Sequence, residues 1–239
     1  KTIGKELALG IAKPQLEETT SFIYIFVTII IVTLIALFFA RFNLSKLWKV
    51  WFFLSITLVL TISLGVFMNE ILAFILALIA AVYKIIKPNM IIHNLSELFL
   101  YGGLAALFVE SLNVFSVSIL ILLISIYDMY AVWKSKHMIK LANFQSKLKI
   151  FTGLMIPYKH GKKEKIALLG GGDIGFPILF ASVVMKSYGF LAFVIPLFAA
   201  LGLYSLLVYG DKDKFYPAMP FIGGGCFLGY GLIVLMSII

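Results

Sequence analysis

The chain has 239 residues, of which 62% are hydrophobic and 13% are charged. Soluble domains are nearer half apolar and a quarter charged, so this composition excludes an ordinary soluble domain and indicates a membrane protein. The single cysteine excludes an internal disulfide framework and a cysteine-based zinc site. The net charge of +9 fits either nucleic-acid binding or the lysine bias of cytoplasmic loops.

Long apolar runs follow a polar stretch at residues 1–20 and predict eight membrane-spanning helices. A helix of about 20 residues crosses the hydrocarbon core of a bilayer, and backbone groups in lipid need the internal hydrogen bonds of a helix. We expect Met90–Ser96 to be an interfacial turn. The predicted spans are Ser21–Phe42, Trp48–Met68, Ile71–Ile86, Leu95–Val109, Asn113–Trp133, Ile166–Met185, Gly189–Tyr209 and Phe215–Ile239.

The long polar segment at residues 134–165 mixes lysines with apolar side chains. This pattern fits a basic amphipathic helix on anionic lipid or a disordered tether. If the segment is cytoplasmic, 16 of the 20 lysines and arginines fall on the cytoplasmic side. The positive-inside rule therefore favours that orientation, with the C-terminus outside, and makes nucleic-acid binding unnecessary to explain the charge.

Asp128 and Asp173 are acidic residues inside predicted spans, where an ionised side chain is costly and usually functional or paired. Asp128 is five residues before Trp133, and Asp173 is seven residues after Ile166. At about 1.5 Å per residue both lie roughly 8–11 Å below the cytoplasmic surface. Because the two spans are consecutive and antiparallel, their carboxyl groups can face each other.

Two close carboxyl groups share one proton, since they cannot both ionise easily. The ionised group can take a proton from a water that attacks an amide carbon, while the protonated group polarises the carbonyl oxygen. Such hydrolysis requires no metal or cofactor. The same two acids also fit a proton or cation relay in a transporter, or a structural hydrogen bond.

Three glycines, Gly170, Gly171 and Gly172, precede Asp173. Each costs a helix about 1 kcal/mol relative to alanine, but glycine permits an irregular backbone and the close approach of another chain. An enzyme that cuts peptide bonds within a membrane needs such access, because a helical substrate must be unwound and can then add as a strand. The alternative is tight helix packing through small residues.

The last span opens with Pro217 and Pro220, which prevent a regular helix start. Further along this span, Gly225 and Gly229 are four residues apart and indicate a small-residue face for tight packing, together with Gly223 and Gly224.

Three short motifs therefore stand in order on separate spans: Tyr127-Asp128, Gly170-Gly171-Gly172-Asp173, and Pro217-Ala218-Met219. The ordered set resembles the presenilin and signal peptide peptidase family of intramembrane aspartyl proteases, and most closely its archaeal homologues. The family pattern is Tyr-Asp, Gly-x-Gly-Asp and Pro-Ala-Leu. Met219 is the departure from it, and we expect methionine to be tolerated because its volume is close to that of leucine.

The resemblance implies a presenilin-type, all-α polytopic fold with nine spans, so that one helix would precede the eight seen here. Residues 1–110 would form scaffold helices and residues 111–239 the catalytic helices. Asp128 and Asp173 would be the catalytic pair. The residues expected to border the substrate site are Tyr127, Gly170, Gly171, Gly172, Pro217, Ala218 and Met219.

The expected partners are the lipid bilayer and a transmembrane helix or remnant signal peptide as substrate, without nucleic acid. A homo-oligomer stays open, and no obligatory partner subunit is evident. The alternatives are a prepilin or preflagellin type of peptidase, and a cation channel or transporter that uses the same acids. Other polar residues are expected to be interfacial or solvated: Glu97, Glu110, His93, His137 and His160.

Overall fold

A computed structural model describes residues 16–87, 89–148, 150–160, 163–210 and 216–238. Within these residues the chain forms nine α-helices and one antiparallel hairpin. The helices are α1 Ser21–Arg41, α2 Ser45–Gly65, α3 Glu70–Ile86, α4 Met90–Phe108, α5 Val114–Met129, α6 His137–Lys147, α7 Gly172–Tyr188, α8 Val194–Tyr209 and α9 Met219–Ile238. The strands are β1 Gly153–His160 and β2 Lys163–Gly170.

Across the described ranges, six helical stretches are long and apolar enough to cross a bilayer. One of them, Gly172–Tyr209, spans 38 residues and contains α7 and α8, joined by a short 3-10 helix at Gly189–Phe193. Helix α3 has 17 residues and is shorter than these stretches. Each of the eight predicted spans thus corresponds to one helix, and the mostly helical membrane architecture is as predicted.

Asparagine side chains begin three of the helices. Asn69 accepts from the N–H of Leu72 at 2.8 Å, Asn89 from that of Ile91 at 2.9 Å, and Asn113 from that of Ser116 at 2.8 Å. An asparagine in this position satisfies a backbone donor that the first turn of a helix leaves unpaired. The Asn89 cap also explains why Met90–Ser96 is helical, so the interfacial turn expected there is wrong.

The sixth predicted span, Ile166–Met185, begins too early. Residues 166–170 belong to β2, which pairs with β1 in a register that sets Gly153 opposite Gly170, and the helix begins at Gly172. Within the segment 134–165, α6 forms a helix where the amphipathic helix was predicted, and most of the hairpin follows it, so the described part of the segment is not a disordered tether. The last span also starts later than expected, at Met219 rather than Phe215, since the preceding Pro217 interrupts the helix.

Glycines let α9 pack closely on its neighbours. A Cβ built on Gly225 would lie 2.2 Å from the carbonyl oxygen of Phe198 in α8, and one on Gly229 would lie 3.1 Å from Ile195 Cα. The small-residue face predicted from their spacing is therefore the α8 interface. Gly223 faces α5 instead, with 2.8 Å from its built Cβ to Ile121 Cγ2.

Helix α7 lies at the centre of the contacts that position the two aspartates. It packs against α5, α9 and α4, and α5 and α9 also contact each other. Helix α4 packs in addition on α2 and on β1. The interior of this group is formed by fully buried side chains such as Phe180, Leu120 and Ile222, while many large apolar side chains of α1 are exposed where lipid would contact them.

Candidate active site

Asp128 and Asp173 lie at matching ends of two antiparallel helices. Asp128 is one residue before the end of α5, beyond which a π-helix continues over Tyr130–Lys134, and Asp173 is the second residue of α7. Both are half-buried, and their carboxyl groups are close enough to interact electrostatically. The predicted juxtaposition is present, but Asp173 lies at the start of its helix rather than seven residues inside it, because β2 occupies the preceding residues.

The Pro-Ala-Met segment is bound to α5 at the level of Asp128. The N–H of Met219 donates to Asp128 Oδ2 at 3.1 Å, and the Ser125 hydroxyl donates to the Met219 carbonyl at 3.2 Å. Met219 is the first residue of α9, so its N–H has no partner within the helix and is free to donate to Asp128. Pro217 and Met219 are buried and Ala218 is half-buried, close beside this carboxyl group.

The glycines before Asp173 form the turn from β2 into α7. A Cβ built on Gly170 would lie 3.0 Å from Asp173 Oδ2, and one on Gly171 would lie 2.8 Å from the Tyr101 hydroxyl. Gly172 is less confined, since its built Cβ meets only the Phe176 ring, at 3.3 Å. The close approach predicted for this segment therefore concerns mainly Gly170 and Gly171.

Tyr127 borders the site from the side of the cytoplasmic segment predicted at 134–165. Its hydroxyl lies 2.9 Å from His137 Nε2 in α6, and its ring makes an edge contact with Phe26, with 6.3 Å between ring centroids. His137 Nδ1 lies 2.5 Å from the Ser135 hydroxyl. His137 is therefore half-buried and hydrogen-bonded on both ring nitrogens, and is not the solvated side chain expected from sequence.

Lys84 and Glu97 form a buried charged pair that the sequence did not predict. Glu97, expected at the interface, is 2% exposed and accepts hydrogen bonds from Lys84 and from the Tyr101 hydroxyl. His93 is also buried and lies 2.8 Å from the Gly153 carbonyl oxygen. Lys84 lies on α3 and Glu97 on α4, 13 positions apart in the chain, so no local spacing in the sequence indicates that these two side chains form a pair.

Groups of histidine, cysteine and acidic side chains that could hold a metal ion do not occur among the described residues. The side chain of His160 lies outside those that the structure describes. The acidic side chains at the matching ends of α5 and α7 are those of Asp128 and Asp173, with the Met219 N–H and the glycine turn beside them.

Comparison with known proteins identifies the family and the fold. A family model described as "Signal-peptide peptidase, presenilin aspartyl protease" matches residues 10–239. A presenilin family intramembrane aspartate protease solved in space group C222 is 18% identical with a TM-score of 0.64, covering 90% of this chain and 85% of that one. A structure with the same description, solved in space group P2, is 17% identical to this chain with a TM-score of 0.66. The match covers 93% of this chain and 88% of that one.

At 18% and 17% identity, the two solved structures show the fold alone. The comparison with curated protein sequences found no match. The family model covers nearly the whole chain and includes all three motifs. The chain is an integral membrane protein that belongs to the signal peptide peptidase and presenilin family of intramembrane aspartyl proteases.

Proposed function

We propose that this protein hydrolyses peptide bonds within transmembrane segments of membrane proteins or remnant signal peptides, using Asp128 and Asp173 as a general acid and base. The observation that carries the proposal is the position of the two carboxyl groups at matching ends of α5 and α7. An ionised pair in this setting is unfavourable, so one shared proton is expected.

The charge of the pair would rest mainly on Asp128. The Met219 N–H donates to this carboxyl group, and a hydrogen bond to the ionised form of a carboxyl group favours that form. Asp128 then takes a proton from a water that attacks the amide carbon, while Asp173 donates its proton to the carbonyl oxygen. When the tetrahedral intermediate collapses, the C–N bond breaks, the amine leaves with the proton that Asp128 received, and one hydroxyl of the intermediate returns a proton to Asp173 as the new carbonyl forms.

The hairpin offers a place for an unwound substrate. In the described sheet β2 pairs with β1 along one edge, and its other edge has no partner strand. The strand ends at Gly170, three residues before Asp173. Ile166 and Leu168 are 53% and 44% exposed, and because they are two residues apart in β2 their side chains lie on the same face of the strand. We propose that a substrate segment adds to this edge as a strand, since an extended strand makes its peptide bonds accessible where a helix would hide them.

The substrate site would be completed by the residues that flank the two carboxyl groups. Tyr127 borders Asp128, and Pro217, Ala218 and Met219 line the opposite side. Gly170, Gly171 and Gly172 leave room beside Asp173 for the substrate backbone. Met219 is 3% exposed, so its backbone rather than its side chain would face the reaction.

We propose that residues 134–165 face the cytoplasm of the cell membrane and that the C-terminus lies outside. The lysine bias of the predicted cytoplasmic connections supports this orientation. Lys84 does not contribute to the bias, because its charge is buried and paired with Glu97. The other lysines of the predicted cytoplasmic loops are sufficient to favour this orientation.

The proposal is tested in liposomes that contain the purified protein and a single-span peptide, with products identified by mass spectrometry. We expect cleavage within the span by the wild type and its loss in both Asp128→Asn and Asp173→Asn. Glu70→Gln is the matched control, because Glu70 is an exposed acid at the start of α3. Cation flux without cleavage, abolished by the same two variants, would instead establish an ion path.

A further inference from the structure

A buried polar network connects α3, α4 and the first turn of α7. Lys84 Nζ donates to Glu97 Oε1 and, at 3.0 Å, to the Ser96 hydroxyl, and the Tyr101 hydroxyl donates to Glu97 Oε2. The side chains of Lys84 and Glu97 are 3% and 2% exposed. A buried ion pair is costly unless further hydrogen bonds satisfy it, and here each oxygen of the carboxylate accepts one.

Tyr101 belongs to this network and also contacts the segment around Asp173. A Cβ built on Gly171 would lie 2.8 Å from the Tyr101 hydroxyl, and one on Gly175 would lie 3.5 Å from Tyr101 Cδ1. Asp173 stands midway between these glycines in the chain and is close enough to Tyr101 to interact electrostatically. The tyrosine side chain therefore packs along the first turn of α7, beside the carboxyl group.

The hydrogen bond to Glu97 prevents the Tyr101 ring from retreating from Gly171, because Lys84 holds the other oxygen of the carboxylate. Helix α4 also binds β1, the strand that pairs with β2. Asn94 donates to the Met155 carbonyl at 2.7 Å and accepts from the Met155 N–H at 2.9 Å. One face of α4 thus contacts both the hairpin and the glycine turn.

We propose that Tyr101, held by Glu97 and Lys84, is a positioning residue for Asp173. The Tyr101 side chain determines how closely the turn at Gly171 approaches α4. The position of that turn then determines where the Asp173 carboxyl group lies relative to Asp128. The inference rests on the proposed two-aspartate mechanism and adds three residues that the family motifs do not contain. It also gives a reason for a third glycine, at position 171, between the two of the Gly-x-Gly-Asp motif.

The first test is a double-mutant cycle between positions 101 and 171, with kcat and KM measured separately on a single-span substrate. Gly171→Ala places a methyl group against the Tyr101 hydroxyl, and we expect kcat to fall roughly ten-fold or more with KM changed less than about two-fold. Tyr101→Phe removes the hydroxyl, leaving ring atoms 3.2 and 3.3 Å from the built Cβ. The double variant should therefore have a higher kcat than Gly171→Ala alone.

Gly172→Ala is the matched control, because its methyl group would meet only the Phe176 ring. Tyr101→Phe should not restore the activity of that variant. Strict additivity of the substitutions at 101 and 171, or equal rescue of Gly172→Ala, would overturn the inference, because neither depends on contact between the tyrosine hydroxyl and the turn.

The second test separates hydrogen bonding from charge. Lys84→Met combined with Glu97→Gln removes both charges but keeps an oxygen that accepts from Tyr101, whereas Lys84→Met with Glu97→Leu removes the acceptor. We expect kcat to fall in both pairs, because Lys84 no longer holds the side chain at position 97, and to be at least about three-fold lower in the leucine pair, which also lacks the acceptor for Tyr101. Thermal unfolding in detergent checks that both pairs are folded.

Equal kcat values for the two folded pairs would overturn the inference while leaving the protease mechanism intact. Cleavage that persists in Asp173→Asn would overturn the proposed mechanism, and the positioning role with it. The two failures are distinguishable, because the first is scored among active variants and the second on the aspartate itself.

Discussion

The backbone N–H of Met219 donates a hydrogen bond to Asp128 Oδ2 across 3.1 Å, and so joins the start of α9 to the end of α5. The Ser125 hydroxyl donates to the carbonyl of the same residue. The contact uses only the backbone of Met219. This explains why methionine can stand where the family pattern has leucine.

Removing this donor should impair catalysis without disturbing the helix. Met219→Pro deletes the N–H at the first residue of α9, a position where proline is well tolerated. We expect kcat to fall about 10- to 100-fold, because hydrogen bonds to charged groups are worth about 1.5–3 kcal/mol. Met219→Leu keeps the N–H and should stay within about three-fold of the wild type. Equal loss in both variants would show that the side chain matters instead.

Gly170 should be intolerant of even one added methyl group. Its built Cβ lies 3.0 Å from Asp173 Oδ2, so Gly170→Ala has to displace the carboxyl group by a few tenths of an ångström. We expect a loss of roughly ten-fold in kcat, measured on the single-span substrate. The control is Gly231→Ala, which meets no atom within 4 Å and should retain activity. Full activity of Gly170→Ala would contradict the close approach.

The interface of α8 and α9 gives a stability prediction between two adjacent glycines. Gly225→Ala would place Cβ 2.2 Å from the Phe198 carbonyl oxygen, whereas Gly224→Ala meets nothing within 4 Å. We expect Gly225→Ala to lower the free energy of unfolding by about 1–3 kcal/mol through overpacking. Gly224→Ala should leave it unchanged or slightly raised. Thermal unfolding in detergent measures both, and equal midpoints would contradict the packing.

His137 gives a prediction for the attachment of α6. Burial, and then the charge of Lys140, lower the pKa of His137 below its usual range. The folded state favours neutral imidazole, so its contribution is complete above about pH 6.5 and is lost as pH falls through the lowered pKa. We expect the protection factors of the α6 amides, which correct for the intrinsic slowing of hydrogen exchange in acid, to fall in that acidic range. His137→Gln should remove this dependence, and an unchanged pH response in that variant would contradict the assignment.

The sequence was sufficient for the parts of the site that rest on short motifs. Asp128 and Asp173 are acidic residues in apolar spans, where such residues are rare, and the glycines at 170–172 and the Pro-Ala-Met segment form short motifs with helix-breaking residues. Gly225 and Gly229 could be assigned to a packing face because four residues make one turn of a helix. These are local signals, which a single sequence carries.

The remainder depends on contacts between distant segments. Residues 166–169 are apolar and lead into an apolar helix, so hydropathy alone could not separate β2 from α7. Glu97 looked interfacial because its partner Lys84 lies on another helix. Tyr101 is an ordinary aromatic residue of an apolar span until its contact with Gly171 is known.

The pH dependence of kcat/KM for cleavage of a single-span substrate tests the central claim most directly. If Asp128 and Asp173 form one site with a shared proton, the profile between about pH 4 and about pH 9 is bell-shaped, because activity requires one ionised and one protonated carboxyl group. A rate that rises or falls monotonically across this range would contradict the shared-proton pair.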